Sequence, residues 1–232
     1  MDGVIGKVLK PGLVAHSLAP NLATVLPEGE RGDHYDGLAA GYDLLVGNSL
    51  YNRLIWGNWA ADYADAAHGA LAKMGEGPIL DCGCGSLVFT AKPYAQAPLD
   101  RMILFDRSEG MMRRGMARLP GGQFLQGDAL DMPFLDGAFS GIMCWGFLHC
   151  LGSSSPLIAE LRRVLAPGGT LFLSTLVRSE RVVSNRWLAL LESKGEAAAE
   201  SRESVLEAIG AHFDVTATRQ KGAMLMVEAR WR

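Results

Sequence analysis

Hydrophobic and polar positions fall into two alternating textures over most of the chain. Short, almost wholly apolar runs at 78–81, 102–106, 123–126, 139–145 and 170–175 are separated by stretches of helical periodicity at 87–94, 108–118 and 154–165. Runs this apolar, divided by helices, predict strands covered on both faces of a mainly parallel sheet. Two further strand-like segments, 213–220 and 223–231, are joined through Lys221-Gly222. That link is too short for a parallel crossover, so an antiparallel hairpin is expected at one edge. Upstream, Leu38, Tyr42 and Leu45 recur three to four apart, and Tyr51, Leu54, Ile55, Trp59 and Tyr63 form a second stripe. Two helices broken near Gly47-Asn48 fit this spacing. Residues 1–33 hold many prolines and glycines and no lasting period, which reads as an irregular arm. The alanines of 196–200 read as a solvated helix end. The expected organisation is an arm and helical cap over 1–74 and an α/β core over 75–232, forming one integrated domain.

Length and composition narrow the partners. At 232 residues, with 49% hydrophobic and 20% charged positions, the chain is long enough for one elaborated globular domain. Lys and Arg number 22 against 25 Asp and Glu, so there is no basic excess with which to hold nucleic acid. Pro11 and Gly12 interrupt the first apolar stretch, and no run approaches the ~18 apolar residues of a membrane span. Of the four cysteines, Cys82 and Cys84 are one residue apart, too close to bridge comfortably, and the set is too small for a disulfide scaffold. A cytoplasmic setting is expected.

The most informative segment is Ile79-Leu80-Asp81-Cys82-Gly83-Cys84-Gly85-Ser86-Leu87: a strand, an acid, two glycines one residue apart, then a helical pattern. Glycines there let a backbone approach a ligand, and a helix start favours an anionic group; a tight turn without a ligand is the alternative. The dinucleotide fingerprint asks for a small residue where Val88 stands, and no Gly-Lys-Ser/Thr follows as in a phosphate loop. Asp106 ends the second strand, where a carboxylate can accept both hydroxyls of a ribose, or alternatively cap the next helix. Asp128 ends the third, placed to accept an exocyclic amine or to form an Asx turn. Three acids at neighbouring strand ends point to a nucleoside ligand. Cys82, Cys84 and Cys144 invite a metal reading, but the paired spacing of a zinc site is missing, so no metal is expected.

Taken together, Asp81-Cys82-Gly83-Cys84-Gly85, Asp106, Gly127-Asp128-Ala129-Leu130-Asp131-Met132-Pro133-Phe134, the 139–151 segment and Leu161-Arg162-Arg163-Val164-Leu165-Ala166-Pro167-Gly168-Gly169 resemble class I S-adenosylmethionine-dependent methyltransferases. The flavour is that of the small-molecule group containing quinone-biosynthesis C-methyltransferases, whose Tyr-Asp pair matches Tyr42-Asp43. The resemblance implies a Rossmann-like, doubly wound sheet of seven strands with an antiparallel C-terminal hairpin. It also implies S-adenosylmethionine as cofactor. Its methionine part falls at Asp81, Gly83, Cys84 and Gly85, its ribose at Asp106, and its adenine at Asp128 and Ala129 with Arg107 and Met111 beside it. Cys144 would lie beside the cofactor and Tyr42 would be a lid contact. Two positions depart from the family: Leu87 stands where a third glycine is common, and Arg107 where an apolar residue is common.

The activity implied is methyl transfer to a small, apolar or aromatic acceptor. His149 is the nearest candidate base, with a packing or hydrogen-bonding histidine as the alternative, and the catalytic assignment stays open. His34 and Tyr35 are acceptor-side candidates or simply loop and core residues. Trp56, Trp59, Met111, Met112 and Met116 read as helix packing or as an acceptor pocket. Two rival functions are a protein that binds the cofactor without turnover, and a nicotinamide-dependent oxidoreductase, which Val88 disfavours.

Overall fold

A computed structural model describes residues 3–32, 36 and 39–232, the side chains of Ala39, Ala40 and Tyr42 excepted. His34 and Tyr35 therefore lie outside the described residues, as does the side chain of Tyr42. Five parallel strands occupy the expected apolar runs: β3 (Ile79–Cys82), β4 (Met102–Asp106), β5 (Gln123–Gln126), β6 (Phe139–Trp145) and β7 (Leu165–Leu176). The hairpin β8 (Phe213–Lys221) and β9 (Met224–Trp231) is antiparallel, and β9 also runs antiparallel to β7, with Leu173 opposite Val227. Two strands from the arm, β1 (His16–Ala19) and β2 (Leu22–Thr24), extend the other edge, with β2 parallel to β5. The sheet order is β1-β2-β5-β4-β3-β6-β7-β9-β8, so the sheet has nine strands where seven were expected. The two extra strands escaped the sequence because three or four residues are too few to display a period. All three residues of β2 are nonetheless buried.

Side chains alternate across the pleat and fill two cores. Leu80, Cys82, Ile103, Phe105 and Ile142 pack on one face with α7 (Ser154–Val164), α9 (Arg202–Gly210) and α1 (Val4–Val8). On the other, Ile79, Met102, Leu104 and Met143 pack with Tyr94 and with Met112 of α6 (Glu109–Arg118). Helices on both faces are what a βαβ chain of right-handed crossovers produces.

The cap consists of α2 (Ala39–Val46), α3 (Ser49–Tyr51), a π-helical turn over Asn52–Trp56, and α4 (Ala60–Leu71). It breaks at Gly47-Asn48 as expected, where Asn48 Oδ1 accepts the Leu50 and Tyr51 amides at 2.9 and 3.0 Å. A Cβ on Gly47 would come within 2.6 Å of the Asp43 carbonyl oxygen and 3.0 Å of a Val88 methyl, so glycine is what fits at this break. Two local expectations are corrected. The helix after the glycine turn, α5, covers only Ala91–Tyr94, because Leu87 takes a left-handed φ of 56° and the chain turns from 83 to 90 instead of coiling. The 196–200 segment is not a solvated helix end. The preceding helix, α8 (Val182–Ser193), stops before Gly195, whose φ is 72°, and Ala197 and Ala199 are buried beyond it.

Candidate active site and cofactor cleft

The carboxyl ends of β3, β4 and β6 open into one cavity of about 380 Å³, roofed by the cap and bordered by α8. Of the residues singled out in the sequence, Asp81, Gly83, Cys84, Gly85, Asp106 and Met111 line it. Asp81 is 1% exposed, and apart from the nearby Tyr94 hydroxyl its carboxylate has no partner in the chain. Burial pushes its pKa up to about 7, with the nearby Tyr94 hydroxyl opposing and the Asp106 charge adding. A carboxylate this deep is costly unless a cation meets it. The turn that follows bends away at once, with Gly83 at φ 72°, and a Cβ there would overlap the Phe147 ring at 2.5 Å.

Asp106 is oriented by the backbone on two sides. The Gly85 amide donates to Oδ2 at 2.7 Å, and the Ser108 amide donates to Oδ1 at 2.9 Å. The helix cap is Ser108, whose Oγ accepts from the Met111 amide at 3.1 Å, and that hydroxyl in turn donates to Asp36 at 2.7 Å. The glycine turn thus spends its amides on positioning. Gly83 and Cys84 both donate to the Phe105 carbonyl, at 2.8 and 3.1 Å. A helix start aimed at an anion, one reading of this segment, is not what forms here, since α5 begins well past the glycines.

Asp128, Ala129 and Arg107 gather at the end of β5 but do not line the cavity. Asp128 forms the Asx turn, accepting from Leu130 N at 2.8 Å, and pairs with Arg107 at 3.1 Å. Cys144 is fully buried in the core and is likewise not among the lining residues; Trp145, Gly146 and Phe147 occupy that strand end instead. The physical reason is the pleat, which turns Cys144 to the same face as Cys82, within hydrogen-bonding reach of it.

The far half of the cavity is aromatic. Tyr63 stacks on Phe89 with centroids 4.4 Å apart, Tyr51 meets Trp56 edge-on at 6.4 Å, and Phe147, Leu176 and Leu191 complete the wall. Trp56 and Met111 thus join the pocket, whereas Trp59 is 46% exposed and Met112 lies in the core. His149 also lines the wall. Burial pushes its pKa down to about 4, and Nδ1 accepts the Leu176 amide at 3.3 Å. A neutral ring engaged this way carries its proton on Nε2, which favours the hydrogen-bonding histidine over the base. Asp43, quoted in the sequence only as half of the Tyr-Asp pair, has its carboxylate held by Ser86, Arg114 and Arg118, a role the sequence did not reveal. Sequence reasoning missed Glu196, which lines the cavity. Among the described residues no cluster of His, Cys, Asp or Glu is arranged to hold a metal ion, and no helix is long and apolar enough to cross a membrane.

Sheet order, glycine turn and paired acids together define a class I, Rossmann-like methyltransferase fold. Residues 79–169 match the family described as "Methyltransferase domain". It is similar to a demethylmenaquinone methyltransferase of Symbiobacterium thermophilum, 32% identical over 142 residues, covering 58% of this chain and 54% of that protein. It is also similar to a malonyl-[acyl-carrier protein] O-methyltransferase of Erwinia pyrifoliae, 36% identical over 112 residues, covering 47% and 41%. The chain spans about half or less of the length of these curated relatives. Among solved structures, the complex of the Haloferax volcanii Trm112 methyltransferase activator with a methyltransferase gives a TM-score of 0.65 at 19% identity, covering 86% of this chain and 98% of that one.

Proposed function

We propose that this protein binds S-adenosylmethionine and transfers its methyl group to a small, apolar or aromatic acceptor in the cytosol, with the 1–74 arm and cap covering the 75–232 core. The observation that carries the reading is Asp81: a fully buried carboxylate on the wall of a cleft, with the Tyr94 hydroxyl near it and no cation paired to it. A ligand ammonium is the group that would satisfy it. Asp106, fixed by two amides, would accept the ribose hydroxyls, and Met111 would lie against the adenine. We place the adenine edge toward Arg107, Asp128 and Ala129, where the stem of Arg107 can cover a ring while its head stays with Asp128. The cofactor supplies a methyl group on a positively charged sulfur. This chain's own residues then do three things. They hold the sulfur beside the aromatic half of the cavity, exclude water from it, and align the acceptor behind the methyl, which together supply much of the rate without a covalent protein step.

The acceptor reading rests on the aromatic wall and on the several relatives named demethylmenaquinone methyltransferase. A ring acceptor of the quinol kind is the first to try. The test is calorimetric titration with S-adenosylhomocysteine and, separately, with NAD, followed by mass spectrometric detection of S-adenosylhomocysteine formed from S-adenosylmethionine in the presence of a quinol. Heat from the nucleoside and none from NAD, followed by turnover, is expected. Binding without turnover across acceptors would return the non-catalytic reading, and heat from NAD alone would return the oxidoreductase.

A further inference from the structure

Among the described lining residues the cavity holds three carboxylates, Asp81, Asp106 and Glu196, and neither lysine nor arginine. Asp81 and Asp106 belong to the strand ends of the cofactor half. Glu196 comes from the opposite side, on the irregular segment after α8, beside Leu191 and His149. That segment is fastened by three of its amides. Glu196 N donates to the Leu191 carbonyl at 2.9 Å, Ala198 N to the His149 carbonyl at 2.7 Å, and Ala199 N to the Glu192 carboxylate at 3.2 Å, itself paired with Arg178. Glu196 is half-buried, and its carboxylate makes no hydrogen bond or ion pair with any described residue. A carboxylate held at the wall of an apolar chamber, with no cation of its own chain, is placed for a donor that arrives with the ligand.

Building on the methyltransferase reading above, we propose that Glu196 receives the acceptor's proton, and that its charge restricts acceptors to uncharged ring hydroxyls or enols. His149 is the competing base, but its Nδ1 is committed to the Leu176 amide. In the step itself an electron pair of the acceptor, on oxygen or on the ring carbon activated by that oxygen, forms the bond to the methyl carbon. The methyl–sulfur bond breaks with its pair going to sulfur, which becomes a neutral thioether. The proton that the acceptor gives up passes to a Glu196 oxygen and then to water as product leaves. The Glu196 carboxylate repels an acceptor bearing a carboxylate or phosphate, whose own charge would be desolvated beside it.

The full chain saturated with S-adenosylhomocysteine is titrated, by its tryptophan fluorescence, with 2-naphthol, uncharged at neutral pH, and with anionic 2-naphthoate. The wild-type chain is expected to prefer naphthol by about tenfold or more, Glu196→Asp to keep the preference, and Glu196→Gln to lose it. In turnover with S-adenosylmethionine and 1,4-naphthalenediol, Glu196→Gln is expected to lower kcat by about 10²–10⁴, leaving KM within about threefold. Affinity of the variant for S-adenosylhomocysteine should be unchanged, which separates this role from a folding defect. Equal binding of the two probes by wild type, or wild-type kcat in Glu196→Gln, overturns the proposal. A wild-type chain that does not bind S-adenosylhomocysteine overturns the functional reading itself, and the proposal with it.

Discussion

Arg118 donates to Asp43 Oδ2 across 2.7 Å, tying the cap helix α2 to the last turn of α6. Arg114 reaches the same oxygen at 2.5 Å, and the Ser86 hydroxyl donates to the other. The cap is therefore latched to the glycine turn and to the helix behind the cofactor half by one buried acid. Burial alone would raise the Asp43 pKa, but the Ser86, Arg114 and Arg118 contacts outweigh it and hold it below the usual carboxylate value. Asp43→Ala is expected to destabilise the fold by about 1.5–3 kcal/mol, the range for hydrogen bonds to a charged group; both arginines reach water, which keeps the cost below that of a sealed pair. Because the folded pKa is depressed, this contribution is present above the unfolded carboxylate pKa and is lost as pH falls through that value and below. Denaturant titrations of wild type and variant at neutral and acid pH check both statements; equal midpoints at neutral pH would remove the latch.

Asp81 behaves oppositely. Its folded pKa is raised to about 7, so the ligand-free protein holds a proton there that the unfolded chain has released. Its contribution to stability therefore declines as pH rises from the ordinary carboxylate range toward 7. Asp81→Asn should leave the free protein at least as stable at pH 8 while abolishing most cofactor affinity. In wild type, S-adenosylhomocysteine affinity should fall as pH drops below 7, approaching tenfold per pH unit, because binding the ammonium requires the ionised acid. A pH-independent dissociation constant, measured by calorimetry, would contradict the assignment of the ammonium to Asp81.

For Asp106, two backbone amides fix the carboxylate. Asp106→Ala should weaken cofactor binding by about 1.5–3 kcal/mol, roughly ten- to a hundredfold. Since Ser108 is the residue that caps α6, the variant should keep its helix content. Unchanged affinity, or loss of α6 without loss of affinity, would move the ribose elsewhere.

Leu87 sets two effects against each other. Its φ of 56° costs about 1–2 kcal/mol in a residue with a Cβ, which glycine would relieve. Its side chain is 2% exposed and packs in the core, where deleting a leucine costs about 2–5 kcal/mol. The burial term is larger, so Leu87→Gly should destabilise the protein by about 1–3 kcal/mol, as denaturant titration would measure. A stabilised variant would show that backbone strain dominates at this turn.

Much of this architecture was legible in the order of residues. The five parallel strands, the hairpin through Lys221-Gly222 and the break at Gly47-Asn48 follow from local rules: apolar runs, link length and turn chemistry act between neighbours in the chain. The glycine turn and the acids at 81 and 106 were likewise visible, because the parallel fold carries successive strand ends to one edge. Other features were decided only when distant segments met. β2 exists because β5 offers it a free edge. Cys144 faces the core because the pleat fixes the parity of each position. Asp43 becomes a latch because two arginines of α6 approach it. Glu196, in a stretch whose alanines read as a solvated helix end, reaches the cavity because the main chain around His149 and Leu191 pins its segment there. Periodicity records how a residue relates to its neighbours along the chain, whereas these four depend on partners across it.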